Sequence, residues 1–332
     1  MISYGLGPIG LVAARIVLDN NRLEIVGAID IAEEKVSKDL GDLLTLDRKV
    51  GIRVSSNWRK VSNDSHADVV LHATGSRLEK VYSQIEDIVS AGINCVSSCE
   101  ELFFPYTRHP DLSWKIDKVA REHQVTVLGT GVNPGFVMDA LPLFLTGACK
   151  CVKGISVERV VDVSTRRFSL QKKVGAGLRP KEFENMVKKG TLGHVGLIET
   201  AQFLAHNLGW ELDEFQEAIK PVIAQEPVST QFFDVQKGYV VGINHTVYGV
   251  KNGERIITLT LKMYIGAEDS HDVIHIEGNP DFEVLVKNGV PGDIATAAIL
   301  VNTVPLVAQA RPGLLTVKDV MLLHNMRGHE ER

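Results

Sequence analysis

The stretch "ISYGLGPIGLVAARIVLDNNRLEIVGAID", residues 2–30, decides the fold class of this chain. It predicts a short strand, a turn with the spacing Gly5-x-Gly7-x-x-Gly10, an apolar helix and a second strand that ends at Asp30. In this context Gly5 permits the tight turn, Gly7 lets the backbone approach a pyrophosphate, and Gly10 lets the helix pack on the strand. The start of the helix then faces the anion. The stretch therefore indicates a dinucleotide-binding β-α-β unit.

Asp30 indicates which dinucleotide this unit binds. A carboxylate at the end of the second strand accepts hydrogen bonds from the adenosine ribose and repels a 2′-phosphate, so we expect NAD or NADP, with NAD favoured. Leu6, Pro8 and Ile9 of the same turn are expected to line the cofactor. Because only Met1–Tyr4 precede Gly5, we also expect either that a few residues are missing or that this edge of the site is weakened.

The alternation of strands and helices continues to residue 136. "ADVVLHATGS" (67–76) predicts a strand, a helix follows near 79–91, and "GINCVSSCEEL" and "HQVTVLGTGVNPGF" (123–136) predict two more strands. Small residues at the carboxyl ends of such strands line the ligand crevice of a doubly wound sheet. Asn133 and Pro134 either form a wall of the nicotinamide pocket or a structural turn. The further expected cofactor contacts here are Thr74, Gly75, Ser76 and Ser98.

Two adjacent acids, Glu100 and Glu101, follow the strand in "SSCEEL". Side chains alternate across a strand, so only one of the two easily points into the crevice. One interpretation is that both acids begin the next helix, where carboxylates favour the helix dipole. The other is that one of them, either Glu100 or Glu101, is a general base beside the nicotinamide.

Beyond residue 136 the pattern changes. "GYVVGINHTVYGVKNGERIITLTLKMYIGAED" alternates around the turn 251–254 and predicts a long antiparallel hairpin, and "HDVIHIEG" adds a strand. We predict an α/β chain with an N-terminal Rossmann-type parallel-sheet domain and an α+β C-terminal domain containing an open antiparallel sheet. The predicted boundaries are 1–135 for the dinucleotide-binding domain, completed by a returning helix at about 292–310, 136–291 for the substrate-binding and dimerisation domain, and 311–332 for a tail.

The composition limits the partners. The formal net charge is −5 and no basic patch is present, so we expect neither a nucleic-acid nor a membrane partner. The four cysteines lack zinc spacing and no secretory leader is visible, which predicts reduced thiols and a cytoplasmic location. An open sheet with one apolar face needs a cover, which predicts a homodimer.

Several further residues are candidates for the site, each with a structural alternative. Phe136, Phe168 and His194 are predicted to line the substrate pocket, although core packing or helix capping explains them as well. Asn302 on the returning helix is predicted to touch the cofactor or to serve packing. His271 and His275 lie in a predicted strand, so we expect no metal there. A substrate carboxylate would need a cation, and "STRRFSLQKKVGAGLRP" offers Arg166, Arg167, Lys172, Lys173 and Arg179.

The motifs "YGLGPIG", "SSCEEL", "GTGVNPGFVMDALP", "KKVGAGL", "GHVGLIET", "GAEDSHDVI" and "GDIATAAILVNTVP" together resemble the family of 2,4-diaminopentanoate dehydrogenases and native amine dehydrogenases. The nucleotide domain of that family is similar to that of dihydrodipicolinate reductase. The resemblance runs over nearly the whole chain. It implies an NAD(P)-dependent homodimer that interconverts an amine with a carbonyl compound and ammonia, with a glutamate of the acidic pair, Glu100 or Glu101, as the catalytic group.

We therefore expect an oxidoreductase acting on CH–NH₂, an amine dehydrogenase of small aldehydes and ketones. A 2,4-diaminopentanoate dehydrogenase is the second hypothesis. A non-catalytic NAD(P)-binding sensor would keep the glycines and Asp30 but would need no acid at the crevice. A dihydrodipicolinate reductase is disfavoured because the paired-histidine, lysine-containing motif expected at its active site is not found.

Overall fold

A computed structural model of the protein describes residues 1–320 and 322–325. They form two compact units. The first unit comprises Met1–Phe136 and the described residues from Pro291 onward, and the second comprises Val137–Val290.

The two units contain fifteen strands and ten α-helices among the described residues. The strands are β1 (Ile2–Tyr4), β2 (Gly27–Ile29), β3 (Val54–Ser55), β4 (Val69–His72), β5 (Asn94–Ser97), β6 (Thr126–Gly129), β7 (Cys151–Asp162), β8 (Glu214–Ile223), β9 (Val228–Ser229), β10 (Asp234–Val235), β11 (Val240–Lys251), β12 (Glu254–Tyr264), β13 (His271–Asn279), β14 (Phe282–Lys287) and β15 (Gly313–Leu315). The helices are α1 (Pro8–Leu18), α2 (Leu40–Leu43), α3 (Trp58–Asp64), α4 (Leu78–Ser90), α5 (Pro110–Glu122), α6 (Ala140–Leu145), α7 (Phe168–Lys173), α8 (Pro180–Lys188), α9 (Leu197–Asn207) and α10 (Gly292–Ala308).

The first unit is built on a seven-stranded parallel sheet with the order β15-β6-β5-β4-β1-β2-β3. Its strands are short apolar runs, as expected for strands covered on both faces. The chain order reverses between β1 and β4. In open parallel sheets the carboxyl edge at such a reversal is where ligands bind.

Helices cover both faces of this sheet and build two apolar cores. In one core α1 and α10 pack on strand residues that include Leu71, Val96 and Leu128. In the other core α4 and α5 pack on Ile2 and Val127. The first unit is thus doubly wound, and the Rossmann-type prediction is confirmed.

The predicted tail contains a strand of this sheet. Leu314 and Leu315 are buried, and β15 pairs in parallel with β6. Thr126 also donates its hydroxyl hydrogen to the Arg311 carbonyl, 2.8 Å away. Residues 313–315 therefore belong to the parallel sheet and not to a simple tail, because their apolar side chains complete its edge. Residues 321 and 326–332 of the predicted tail lie outside the described residues.

The second unit is built on a six-stranded sheet with the order β14-β13-β7-β12-β11-β8. The hairpin β11–β12 forms as predicted, and its turn residues Asn252 and Gly253 lie at φ +52° and +78°, as a type I′ turn requires. The sheet is mixed and not wholly antiparallel, since β7 pairs in parallel with β12. β12 and β13 run in opposite directions and flank β7, so β7 must be parallel to one of them.

The two faces of this sheet differ. Along β12, buried Ile257, Leu259 and Leu261 alternate with half-exposed Thr258 and Thr260. On the buried side α9 packs against β11 and β12. One face is therefore core and the other remains half-exposed.

A buried ion pair joins two strands of the second unit. Arg159 on β7 donates to Asp272 on β13 across 2.6 Å, and its second terminal nitrogen donates to the Val290 carbonyl, also 2.6 Å away. The other oxygen of Asp272 accepts from the Val290 N–H at 2.7 Å. Burial lowers the pKa of Arg159, although the Asp272 carboxylate opposes that shift. The pair fixes the chain where the second unit ends.

Candidate active site

The glycine-rich turn has the shape expected of a phosphate-binding loop. Gly5 lies at φ +91°, and a Cβ there would stand 2.5 Å from the Ala73 carbonyl oxygen. A Cβ on Gly10 would overlap the carbonyl oxygen of Gly5, so neither position accepts a side chain. Beside Gly7 the space where a Cβ would project is open to 4 Å. The turn therefore leaves room next to its own backbone for a ligand.

Helix α1 presents its start to this space. It begins at Pro8, and among the described residues no side chain caps it. Its first amide groups and the positive end of its dipole are therefore available to a phosphate. Leu6 is fully buried, Ile9 is half-buried and Pro8 is exposed, so Leu6 faces the core and not the ligand space.

Asp30 lies at the end of β2 and already accepts three hydrogen bonds. Its carboxylate accepts from the backbone N–H groups of Leu6 (2.8 Å) and Ala32 (2.9 Å) and from the Lys35 ammonium (3.0 Å). Burial by itself would raise the pKa of Asp30, but these three donors lower it overall. The acid is thus ionised, and it also braces the glycine-rich turn.

The ends of β4 and β5 are joined by a buried polar network around His72. The Nδ1 of His72 lies 2.8 Å from the Ser97 hydroxyl, and its Nε2 lies 2.8 Å from both Gln84 Oε1 and the Thr74 hydroxyl. The backbone N–H of Cys99 donates to the Ser97 hydroxyl at 3.1 Å. Because Gln84 Oε1 only accepts, Nε2 carries the proton and Nδ1 accepts from Ser97. Burial lowers the pKa of His72 to about 4, so the ring is neutral and fixes both strand ends.

The other predicted residues of this edge contribute mainly backbone. The Ser76 carbonyl accepts from the N–H of Glu101 at 3.2 Å, and the Ser98 N–H donates to the His72 carbonyl at 2.9 Å. Gly75 stands close to Val81, since a Cβ there would lie 3.1 Å from its methyl group. The structure thus brings residues 74–76 and the acidic pair together.

Glu101 is held by cations and by the start of a helix. Its Oε1 accepts from Arg77 at 2.7 Å, and its Oε2 accepts from the Leu78 N–H at 2.8 Å and lies 3.1 Å from His109 Nε2. Arg108 stands 3.7 Å from Oε1. Burial alone would raise the pKa of Glu101, but Arg77, Leu78 and His109 lower it. With 3% of the residue exposed, Glu101 is an ionised brace for the first turn of α4.

Glu100 is half-buried and differs from its neighbour in this respect. Both acids lie in a single turn of 3-10 helix, Glu100–Leu102, that follows β5. The alternation expected of a strand therefore does not apply to them. Instead, the helical turn sends Glu101 towards Arg77 and His109, which come from other segments.

Asn133 carries an unusual side chain. It follows β6 in a loop with a cis Asn133-Pro134 bond. Its Oδ1 and Nδ2 are both buried and lack hydrogen-bond partners among the described residues. A buried amide is normally paired, so this one is suited to a ligand with both a donor and an acceptor.

Two other predicted residues belong to the first unit. Asn302 is half-buried on α10, the helix that packs against α1. Phe136 is the half-buried last residue before the second unit begins.

In the second unit a loop carries His194. The His194 N–H donates to Nδ1 of His245 at 3.2 Å, and Nε2 of His245 donates to Glu217 at 2.9 Å. The Nδ1 of His194 is buried and has no partner among the described residues. Burial, with the nearby charges of Lys173, His245 and Arg159, holds the pKa of His194 well below its usual range. The ring is thus a neutral polar group.

Phe168 contacts a different set of residues. Its ring is stacked on Phe233 and meets Phe232 edge-on, and 48% of it is exposed. Phe168 and His194 therefore lie in separate contact groups.

Of the five basic candidates for binding a substrate carboxylate, Arg166 and Arg167 are half-buried and Lys172, Lys173 and Arg179 are exposed. Sequence reasoning missed the buried Arg159.

His271 and His275 lie on β13 as predicted and contact different acids. His271 is 3.3 Å from Glu158, and His275 is 3.1 Å from Asp281. Across residues 1–320 and 322–325 no group of three or more possible ligands could hold a metal ion. In the same residues no helix has the length and apolar character to span a membrane.

The glycine-rich turn, Asp30 and the acidic pair lie at the same edge of the parallel sheet. The chain that carries them is similar to known proteins over nearly its whole length. Residues 136–332 match the model of the 2,4-diaminopentanoate dehydrogenase C-terminal domain. A 2,4-diaminopentanoate dehydrogenase of Acetoanaerobium sticklandii is 32% identical over 329 residues, which cover 96% of this chain and 92% of that protein.

The chain belongs to the 2,4-diaminopentanoate dehydrogenase family.

Two further comparisons agree with this assignment. An amine dehydrogenase of Streptomyces virginiae is 27% identical, over 97% of this chain and 96% of that protein. The structure of an amine dehydrogenase from Mycobacterium smegmatis superposes with a TM-score of 0.87 at 25% identity, over 97% of this chain and 96% of that chain. The predicted family is thus confirmed, and the member described here is a nicotinamide-dependent oxidoreductase.

The structure also contains site residues that the sequence did not indicate. Arg77 and His109 hold Glu101, His72 fixes the strand ends, and Lys35 holds Asp30. The signal for Arg77 was its place directly after Ser76, at the start of α4. No motif of the sequence pointed to the contacts of His109 and His72.

Proposed function

We propose that this chain is an amine dehydrogenase that reductively aminates small aldehydes and ketones with ammonia and catalyses the reverse oxidative deamination. The single observation that carries the proposal is the difference between the two acids. Glu101 is 3% exposed and accepts from Arg77 and from the start of α4, whereas Glu100 at the same sheet edge is half-buried and therefore more accessible to a substrate for proton transfer.

The residues of the first unit fit a nicotinamide dinucleotide. The open space beside Gly7 and the uncapped start of α1 suit the pyrophosphate. Asp30 lies where the adenosine ribose would be held, which favours NAD. The buried amide of Asn133, which lacks a hydrogen-bond partner among the described residues, matches the donor and acceptor of the nicotinamide carboxamide. Thr74, Gly75, Ser76, Ser98, Pro134 and Asn302 are proposed as further cofactor contacts.

When bound, this cofactor supplies hydride transfer. In the direction of amine oxidation Glu100 takes a proton from the substrate ammonium, and the nitrogen lone pair forms the C=N bond as hydride leaves the carbon. The carboxylate of Glu100 also stabilises the positive charge of the iminium. After releasing its proton to solvent, Glu100 takes a proton from the attacking water and passes it to nitrogen. Ammonia then leaves, the carbonyl compound forms, and the hydroxyl proton goes to solvent.

Glu101 has a different role in this proposal. A carboxylate whose pKa is lowered by fixed cations is a poor proton acceptor. Its negative charge instead holds Arg77 and the turn that carries Glu100. Glu101 is thus proposed as a positioning residue.

A second candidate function is the oxidation of 2,4-diaminopentanoate. It is favoured by the relative from Acetoanaerobium sticklandii, which carries that name. A substrate carboxylate would need a cation, and Arg166 and Arg167 are the half-buried candidates in the second unit. His194, Phe136 and Phe168 are proposed to line the substrate pocket in either case.

We assign dinucleotide binding to the first unit, and substrate binding and dimerisation to the second. The half-exposed face of the six-stranded sheet carries Thr258, Thr260 and Val273 along with Leu285, which is 59% exposed. Such a face supports a homodimer through this sheet, and sedimentation of a fully active monomer would contradict it. All four cysteines are free thiols, which supports a cytoplasmic location.

The test of the proposed function is oxidation of NADH and, separately, NADPH in the presence of small aldehydes and ketones, each run with and without concentrated ammonium. Ammonium-dependent turnover is the expected result. Activity only with 2,4-diaminopentanoate and oxidised cofactor would select the second candidate. Cofactor binding without any turnover would indicate a non-catalytic sensor instead.

A further inference from the structure

The loop after β2 places a cation on the acid that selects the cofactor. Lys35 reaches back five residues and its ammonium stands 3.0 Å from Asp30 Oδ2. The two side chains are 22% and 10% exposed, respectively, so the pair is largely shielded from water. The Lys35 N–H also donates to the Ala32 carbonyl at 2.9 Å, which fixes the turn that carries the side chain.

This cation weakens the electrostatic repulsion by which an acid at the end of β2 would exclude NADP. A carboxylate alone repels the 2′-phosphate of NADP, whereas a cation near it accommodates that group. The carboxylate of Asp30 is balanced by Lys35 and satisfied by the Leu6 and Ala32 amides. An ammonium also has three donors, and one of them suffices for Asp30.

We propose that Lys35 is a specificity-determining residue that makes this enzyme accept NADP as well as NAD, by neutralising Asp30 and donating to the 2′-phosphate. The inference deepens the proposed function, since it rests on the use of a nicotinamide dinucleotide. It does not depend on which amine or carbonyl compound is the substrate.

The other charges of the loop do not substitute for Lys35. Glu33 and Glu34 are exposed acids and oppose a phosphate, but solvent screens them. Lys38 is an exposed cation in the same loop. Lys35 is the cation of this loop that a hydrogen bond to Asp30 holds in place, which makes Lys38 a matched control.

The experiment measures binding and needs no amine substrate. Dissociation constants for NADPH and NADH are measured by cofactor fluorescence for the full-length chain and for Lys35→Ala, Lys35→Arg and Lys38→Ala. Competition by 2′-AMP and 5′-AMP then compares a phosphate at the 2′ position with one elsewhere on the same nucleoside.

We expect Lys35→Ala to weaken NADPH about tenfold or more, the loss of one charge-assisted hydrogen bond, and to weaken NADH less than about threefold. Lys35→Arg should keep NADPH binding, and Lys38→Ala should leave the ratio of the two constants unchanged. The 2′-AMP competition should weaken with Lys35→Ala, and the 5′-AMP competition should not.

Equal weakening of both cofactors by Lys35→Ala would overturn the inference and reduce Lys35 to a loop brace. An unchanged ratio, or a wild-type chain that does not bind NADPH, would overturn it too. Failure of the amination assay leaves this measurement intact, so the two proposals fail separately.

Discussion

Two buried carboxylates, Asp272 in the second unit and Glu101 in the first, are held by the same kinds of donor. Each accepts from one arginine, at 2.6 and 2.7 Å respectively, and from one backbone N–H, at 2.7 and 2.8 Å. The arginines differ, because the Arg159 side chain is 4% exposed and the Arg77 side chain is 42% exposed. One pair is buried and joins two strands, while the other has a half-exposed cation at the carboxyl edge of the parallel sheet.

The environment of the cation, and not the bond lengths, therefore distinguishes the pair that joins two strands from the pair at the sheet edge. A sealed arginine has no alternative partner, so its loss leaves an uncompensated charge. A half-exposed arginine exchanges protein contacts for water at small cost.

Arg159→Met should reduce the free energy of unfolding by about 3–5 kcal/mol, because Asp272 then remains buried with a single N–H donor. Urea unfolding followed by circular dichroism measures the loss. The double variant Arg159→Met/Asp272→Leu removes both charges and should recover most of it. A loss below about 1 kcal/mol in the single variant would show that Asp272 does not need this partner.

Glu100→Gln should lower kcat about 10²-fold, because an amide cannot relay protons, while cofactor binding stays unchanged. Steady-state kinetics with a saturating carbonyl compound and ammonium measures this loss, and Glu101→Gln is the matched control. Suppose that Glu101→Gln is fully folded under the assay conditions. If it then lost more kcat than Glu100→Gln, the proposed roles of the two acids would be reversed.

Glu101→Gln should destabilise the chain by about 2 kcal/mol at pH 7, since several donors lose an ionised acceptor. The pKa of Glu101 is lowered on folding, so its contribution is present above the ordinary value of 4.5 and is lost as the pH falls below it. Unfolding of both chains between pH 7 and pH 3 should therefore give a difference that shrinks with acid. A difference that stays constant over this range would mean that Glu101 titrates normally.

Arg77→Met should reduce the free energy of unfolding by about 1 kcal/mol or less, since His109 and the Leu78 N–H still hold Glu101. Urea unfolding beside Arg159→Met, under one set of conditions, gives the comparison directly. Equal losses for the two arginine variants would remove the distinction between a sealed and an open pair.

The sequence predicted the first unit well because its signals are local. The glycine spacing, the apolar runs and Asp30 lie within thirty residues and define a β-α-β unit without reference to the rest of the chain. The hairpin at Asn252 and Gly253 was also local, since the turn chemistry is contained in two residues.

Contacts that no local sequence pattern encodes could not be predicted. The contact of Arg77 with Glu101, for example, joins residues that are 24 positions apart in the sequence. The parallel pairing of β7 with β12 joins strands about a hundred residues apart. Nor could Lys35 be linked to Asp30, since an irregular turn and not a regular period brings them together.

The late strand β15 has a consequence for biosynthesis. The parallel sheet needs α10 and β15, and the ribosome makes them only after the whole second unit. At about 5–20 residues per second, the nascent first unit waits on the order of ten seconds or more without one edge strand of its sheet and without one helix of the layer that also contains α1. Throughout that interval its apolar strands are exposed to chaperones and proteases, and the second unit is free to fold before the first is complete.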